Sequence, residues 1–330
     1  MANILDQTIR LTNAKLYVEY WDSFISQDWL QTKNDMEALG MDFRWVSGKP
    51  TKDASFAYSG WMIFPRQSWK ILPKPYFGNT CLNNFDSLKG VFINLNPKCN
   101  KEDELSFDKE SYISSLPYYA KDIYRSGRGY SKYVEFILKE KHDDLTFNWN
   151  KKKRANWLSE LLLSKPDSIA NNRILTMEIC PWHSSSWTNI EKEYILQHPH
   201  LIYNKIITPA AFYSTQKISP LDFLNSSVIC YGADIAHLFQ TLINQKIGNI
   251  QKVNSSAIIG NNNFMCNVFL VNDENNDKIE KSLFFVFQSK GLGVNLPNPS
   301  IKQTFLIPGT KAERTVTELI TYYKEIALLK

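Results

Sequence analysis

From residue 90 onward the chain alternates two periodicities, and this alternation constrains its fold more than any other feature. Short apolar, β-rich runs occur at Val91–Leu95, Ile174–Ile179, Val228–Tyr231, Asn267–Val271 and Leu283–Phe287. Between them lie segments with apolar residues at helical spacing. Tyr130, Tyr133, Val134, Ile137 and Leu138 share one face, as do Trp157, Leu158, Leu161 and Leu162, and Ile235, Leu238, Phe239 and Leu242. Strands separated by helices imply crossover connections and therefore a largely parallel sheet. A strand that is apolar almost throughout must be covered on both faces, since a half-exposed strand would alternate with polar residues. The expected class is α/β, a three-layer sandwich around a mainly parallel central sheet.

Smaller signals refine this. The polar Asn/Asp/Glu stretch between Asn267–Val271 and Leu283–Phe287 predicts a hairpin at one edge of the sheet. Thr310-Lys-Ala-Glu313 has the capping-box pattern and predicts the start of a final helix. Thr188-Asn-Ile-Glu191 predicts another helix after the second strand.

Residues 1–88 look like an addition to a core spanning 89–330. Leu16, Tyr17, Tyr20, Trp21, Phe24 and Ile25 predict a helix over Lys15–Leu30. Ser59–Asn79 is rich in Trp, Phe and Pro, and Pro65, Pro73 and Pro75 confine it to irregular or edge-strand structure.

Composition excludes several classes. At 330 residues and 43% hydrophobic content the chain is neither disordered nor dependent on staples. Its longest apolar runs are too short to span a bilayer, and Met1–Arg10 lacks the apolar block of a secretory signal, so a cytoplasmic protein is expected. The five cysteines, Cys81, Cys99, Cys180, Cys230 and Cys266, include no C-x-x-C pair. That argues against a disulfide framework, a zinc site or an iron–sulfur cluster. No cofactor is expected, because only 13 glycines are present and neither G-x-G-x-x-G nor G-x-x-x-x-G-K-[ST] occurs.

In a parallel α/β sheet, ligands bind beyond the carboxyl ends of the strands. The strand-end segments are therefore the place to look for chemistry. They read Asn94-Leu95-Asn96-Pro97, then Glu178-Ile-Cys-Pro-Trp182-His183, then Gly232-Ala-Asp234, and finally Gly291-Leu-Gly-Val-Asn-Leu-Pro-Asn298-Pro299-Ser300. An Asn-Pro pair alone is an ordinary turn. Two of them at strand ends, one followed by Ser, carry more weight.

Asn94-Leu95-Asn96-Pro97 resembles the first motif of the uracil-DNA glycosylase superfamily, and Asn298-Pro299-Ser300 resembles the second. The combination is closest to the mismatch-specific thymine/uracil branch. Val228-Ile-Cys-Tyr-Gly232-Ala233 is similar to the family's strand before a Gly-Ala helix start, and the order of motifs matches over roughly residues 90–308. The chain departs from the pattern at Lys98, where Gly or Tyr is usual, and at Ile301 and Lys302, where a Leu wedge into DNA is usual. At the base-reading strand end, often Asn, the nearest polar residue is Glu178.

The resemblance implies a metal-free hydrolase that cleaves the N-glycosidic bond of a damaged, mismatched or modified base flipped out of DNA. It assigns Asn96 to orient the attacking water and Asn298 to donate a hydrogen bond to the leaving base. Asn94, Pro97 and Pro299 would shape the pocket, and Ser300 would hold a phosphate. The carboxylate of Glu178 would either accept a hydrogen bond from the base, which suits a base presenting an amino group, or be an ordinary surface carboxylate at a strand end. Trp182, His183 and Trp187 follow the same strand: the tryptophans either stack on a flipped base or pack the loop, and His183 either donates to a phosphate or the leaving group or is a structural histidine.

The net charge is +5, from 38 basic and 33 acidic residues. The window Lys121–Arg154 alone holds ten Lys or Arg against five acids, so it accounts for the whole excess. Lys151, Lys152, Lys153 and Arg154 would either lie along a DNA backbone or form a solvated loop. Two alternatives remain. One is a non-catalytic nucleic-acid or nucleotide-binding module on the same fold. The other is an unrelated α/β hydrolase, which the absence of G-x-S-x-G disfavours.

Overall fold

The computed structural model describes residues 56–58, 61–63, 67–68, 76–77, 90–95, 174–179, 183–184, 187, 192, 196, 199–215, 227–254, 258–259, 264–272, 282–289, 305–307 and 313–329. The elements before residue 200 are β1 (Phe56–Tyr58), β2 (Trp61–Ile63), β3 (Gln67–Ser68), β4 (Tyr76–Phe77), β5 (Gly90–Asn94), β6 (Ile174–Glu178) and β7 (His183–Ser184). Helix α1 follows in three continuous pieces, Pro199–Ile202, Tyr203–Ile207 and Thr208–Thr215. Then come β8 (Ser227–Tyr231), α2 (Ala233–Asn244), β9 (Asn249–Lys252), β10 (Ile258–Ile259), β11 (Phe264–Asn272) and β12 (Ser282–Ser289). The last elements are β13 (Phe305–Leu306), β14 (Glu313–Arg314) and α3 (Val316–Leu329).

The main sheet runs β10-β11-β12-β8-β5-β6-β4, with β9 also paired to β11. Its four central strands, β12, β8, β5 and β6, are parallel. The strands at both edges are antiparallel. The fold is therefore α/β with a mixed sheet, not a mainly parallel one. The expected β11–β12 hairpin is present, in register from Phe264↔Ser289 to Val271↔Ser282. It lies inboard of β9 and β10 and so is not itself the edge. Tyr76–Phe77 extends the sheet at the far side by pairing with β6, so the first 88 residues contribute an edge strand to the sheet of the core.

The apolar runs are continuous because both sides of the strands are buried. Leu283 through Phe287 are all at most 2% exposed. Successive side chains point to opposite faces, and each face meets a different helix. On one, Phe239 of α2 stacks on Phe269 at 4.6 Å and packs against Phe284 at 5.1 Å. On the other, Phe285 meets Tyr323 of α3 edge-on at 6.4 Å, within a cluster that includes Phe92, Ile229, Phe287, Val316, Leu319 and Ile320. The face of α2 expected from spacing, Ile235, Leu238, Phe239 and Leu242, is the buried one.

Local chemistry explains the helix boundaries. The helix α3 starts later than expected, with Thr315 as its cap. Thr315 N–H donates to Glu318 Oε2 at 2.7 Å, and Glu318 N–H donates to Thr315 Oγ1 at 3.1 Å. Thr315-Val-Thr-Glu318 has the same spacing as Thr310–Glu313 and directly precedes the apolar face Val316, Leu319, Ile320 and Tyr323. Glu313 is instead paired with Leu306 in a short ladder. Helix α2 ends in a Schellman arrangement: Ile247 N–H donates to Leu242 O at 2.9 Å and Lys246 N–H to Ile243 O at 3.1 Å. Lys246 takes the left-handed conformation there, with φ of 56°.

The middle of α1, Tyr203–Ile207, is a π-helical turn in which Thr208 N–H reaches Tyr203 O, five residues back. The cause is Pro209: it has no N–H to donate, and its ring collides with the carbonyl four residues earlier unless the turn widens. The helices expected at Lys15–Leu30, around residues 130–138 and 157–162, and the cap at Thr188–Glu191 lie outside the described residues.

Candidate functional site

The connections of the parallel strands locate the site. In chain order β5 is followed by β6 on one side, then by β8 on the other, then by β12 beyond it, a spatial order of second, first, third, fourth. The direction of winding reverses between β5 and β8, and a crevice for ligands opens at the carboxyl edge beside such a reversal. Described residues at this edge are Asn94 and Leu95, Glu178 and Ile179, and Gly232 with Asp234.

Asn94 and Glu178 are brought together as register partners on adjacent strands. Asn94 Nδ2 donates to Glu178 Oε1 at 3.1 Å. One bond further, Ile179 N–H donates to Asn94 O at 2.9 Å, which carries the β5–β6 ladder past the end of both strands. Glu178 is 2% exposed, unusual for a carboxylate, since burying one is costly without partners. Asn94 lies two residues beyond Phe92, so it and its register partner Glu178 point to the face that Phe92 occupies.

The opposite face of the same edge carries a different arrangement. Leu95, Ile179, Trp187, Lys192, Leu196, Asp234 and Leu238 line an open hollow of about 210 Å3, part of which is bulk solvent. Asp234, the second residue of α2, is its polar centre. Trp187 Nε1 donates to Asp234 Oδ2 at 2.8 Å, and Lys192 Nζ lies 3.0 Å from Oδ1. His237 Nδ1, one turn along α2, is 3.8 Å from Oδ1. The Trp187 indole N–H is thus tied to the first turn of α2. Gly232 allows this edge to close. Its φ is +135°, and a Cβ there would touch Leu95 Cδ1 at 3.4 Å.

Sequence reasoning singled out Asn94 and Glu178 but missed Asp234 and Lys192. The signal for Asp234 was the acid in the first turn of a helix opening with Gly-Ala after a strand, a position that also favours negative charge through the helix dipole.

His183 lies in β7, opposite Ser68 of β3. Asn96, Pro97, Trp182, Asn298, Pro299, Ser300, Ile301, Lys302 and Lys151 through Arg154 lie outside the described residues. Of the cysteines, Cys230 and Cys266 are described. Both are fully buried free thiols, and burial pushes both well above the usual thiol range, which leaves them poor nucleophiles. Among the described residues no three of His, Cys, Asp and Glu come together as a metal site. No described helix is long and apolar enough to cross a membrane. No protein-family model, curated protein or solved structure matches this chain.

Proposed function

We propose that this chain is a DNA glycosylase-like hydrolase on a three-layer sandwich of the uracil-DNA glycosylase kind, acting on a modified or damaged base that presents an amino group. The observation that carries this reading is the buried carboxylate of Glu178, oriented by Asn94 at the carboxyl ends of two parallel strands. The backbone ladder does not need that carboxylate, and the carboxyl edge of parallel strands is where α/β sheets bind ligands.

In the reaction, the bond between the sugar's anomeric carbon and the base nitrogen breaks, and its electron pair leaves with the base. Water adds its oxygen to the anomeric carbon, and the proton it gives up goes, directly or through solvent, to the departed base anion, so the products are an abasic site and a neutral free base. The transition state has positive charge on the sugar, which lowers the demand for a strong base. An amide oxygen that orients water, the role of Asn96, is then sufficient. A hydrogen bond from Asn298 stabilises the charge on the departing base. Lys151, Lys152, Lys153 and Arg154 supply phosphate contacts, so binding weakens as salt rises.

The near-complete burial of Glu178 also favours a second reading, a non-catalytic nucleic-acid or nucleotide-binding module on this fold. A screen for abasic-site formation over oligonucleotides with modified bases separates the two. The first reading expects cleavage of at least one amino-bearing base and its loss in Asn96→Ala. DNA binding with no cleavage of any base leaves the second.

A further inference from the structure

We propose that Asp234 is a positioning residue for the candidate site, latching the segment that follows β6 onto the first turn of α2. This rests on the glycosylase reading for its consequence in turnover, but the latch itself stands on geometry. One carboxylate receives two groups from the same incoming segment, one on each oxygen: the Trp187 indole N–H on Oδ2 and the Lys192 ammonium on Oδ1. Their side chains are only partly open to solvent, 23% exposed for Asp234 and 27% for Lys192, so water screens the ion pair less than at an open surface.

The segment is fastened at its other end as well. Ile179 N–H is bonded to Asn94 O, and between the two ends His183–Ser184 pairs with Gln67–Ser68. Ile179, the pair His183–Ser184 and Trp187 are thus each tied to a different neighbour. Ile179 directly follows Glu178 and lines the same hollow as Trp187 and Asp234. In this proposal, releasing Asp234 frees Trp187 within the hollow that Ile179 lines, and the looseness passes through Ile179 to the strand end that carries Glu178. Asp234 points to the face opposite Glu178 and acts on substrate only through this chain of contacts. Misplacement of a site group by a fraction of an ångström to an ångström is enough to slow a reaction severely.

The test compares the full-length protein with Asp234→Ala, Asp234→Asn and Trp187→Phe. Hydrogen exchange is read peptide by peptide, and single-turnover cleavage is measured on the best base-modified oligonucleotide found in the screen. Losing a charge-assisted bond is expected to speed exchange in residues 180–187 about tenfold in Asp234→Ala, with β11 and β12 unchanged. Asp234→Asn keeps an acceptor for the indole and is expected to fall between. Trp187→Phe keeps the ring and loses only the N–H, so it tests the latch should Asp234→Ala fold poorly. Cleavage in Asp234→Ala is expected to slow about tenfold while affinity for the same DNA changes less than twofold, because phosphate contacts lie elsewhere.

Unchanged exchange in 180–187 overturns the latch. Faster exchange with unchanged cleavage overturns positioning and leaves a structural tie. If wild-type protein cleaves nothing in the screen, the glycosylase reading falls while the exchange data still decide the latch.

Discussion

The two halves of the sheet bury polar groups in different ways. In the antiparallel half, β9 to β12, the buried Asn254 completes a backbone ladder. It donates to Cys266 O at 3.1 Å and accepts from Val268 N–H at 2.9 Å, in the gap between the strands β9 and β10. Asn267 and Ser282 are buried there as well, among an aromatic core with Phe239, Phe269 and Phe284 on one face and Phe285, Phe287 and Tyr323 on the other. In the parallel half, two polar groupings lie at the carboxyl edge on opposite faces, Asn94 bonded to Glu178 on one and Asp234 bonded to Trp187 and Lys192 on the other, and neither completes strand pairing. Polarity in the first half serves the fold. In the second, the buried carboxylate of Glu178 costs desolvation without serving the ladder, as the proposed site requires.

Substitutions can break this contrast. The largest effect is expected for Phe284→Ala, which opens a cavity beneath Phe239 and removes about 3–5 kcal/mol of stability, measured by urea unfolding. Asn254→Ala strips two backbone groups of their partner and is expected to cost about 1–3 kcal/mol in the same assay. A loss far below that would show the asparagine to be incidental.

Tyr323 predicts the alkaline limit of the apolar half. Burial, then Cys266 and Tyr322, push its phenol from 10.0 up to about 12. The unfolded chain therefore loses this proton first. Stability is complete below pH 10 and falls as pH rises through about 12, by about 1–2 kcal/mol at the upper end. Tyr323→Phe should flatten that limb in unfolding measured from pH 9 to 12, and an unchanged limb would assign it to other groups.

Lys246→Gly relieves a left-handed backbone and is expected to stabilise by about 0.5–1 kcal/mol, read as a rise in Tm. Glu178→Gln should change stability least, by about 0.5 kcal/mol or less, yet alter which bases are cleaved. A stability loss as large as that of Asn254→Ala, with selectivity intact, would place Glu178 with the structural residues and erase the difference between the halves.

Much of the sheet was legible in the chain. The runs at Val91–Leu95 and Ile174–Ile179 became β5 and β6 to within a residue, because strands buried on both faces leave an unbroken apolar record. The α2 face was equally plain from its spacing. The antiparallel flanks were not. The strand β4 is two residues long, and only its pairing with Met177 and Thr176 makes it a strand. The start of α3 was ambiguous because two Thr-x-x-Glu patterns lie five residues apart, and only pairing of Glu313 with Leu306 decides between them. The π-helical turn in α1 needed Pro209 and a helix that continues through it. At the site, Glu178 was visible as a carboxylate at a strand end. Asp234 was not, because its partners come from 42 and 47 positions earlier in the chain and nothing local announces them.

The central claim is that the carboxyl edge of this sheet cleaves a base from DNA. The most direct measurement is abasic-site formation by purified full-length protein on a panel of oligonucleotides carrying modified bases, with Asn96→Ala alongside. After hot-alkali treatment, which cleaves DNA at abasic sites, strand breakage at an amino-bearing base with wild type, and none with Asn96→Ala, is the expected result. Intact oligonucleotides throughout the panel, or equal cleavage by both proteins, would contradict it.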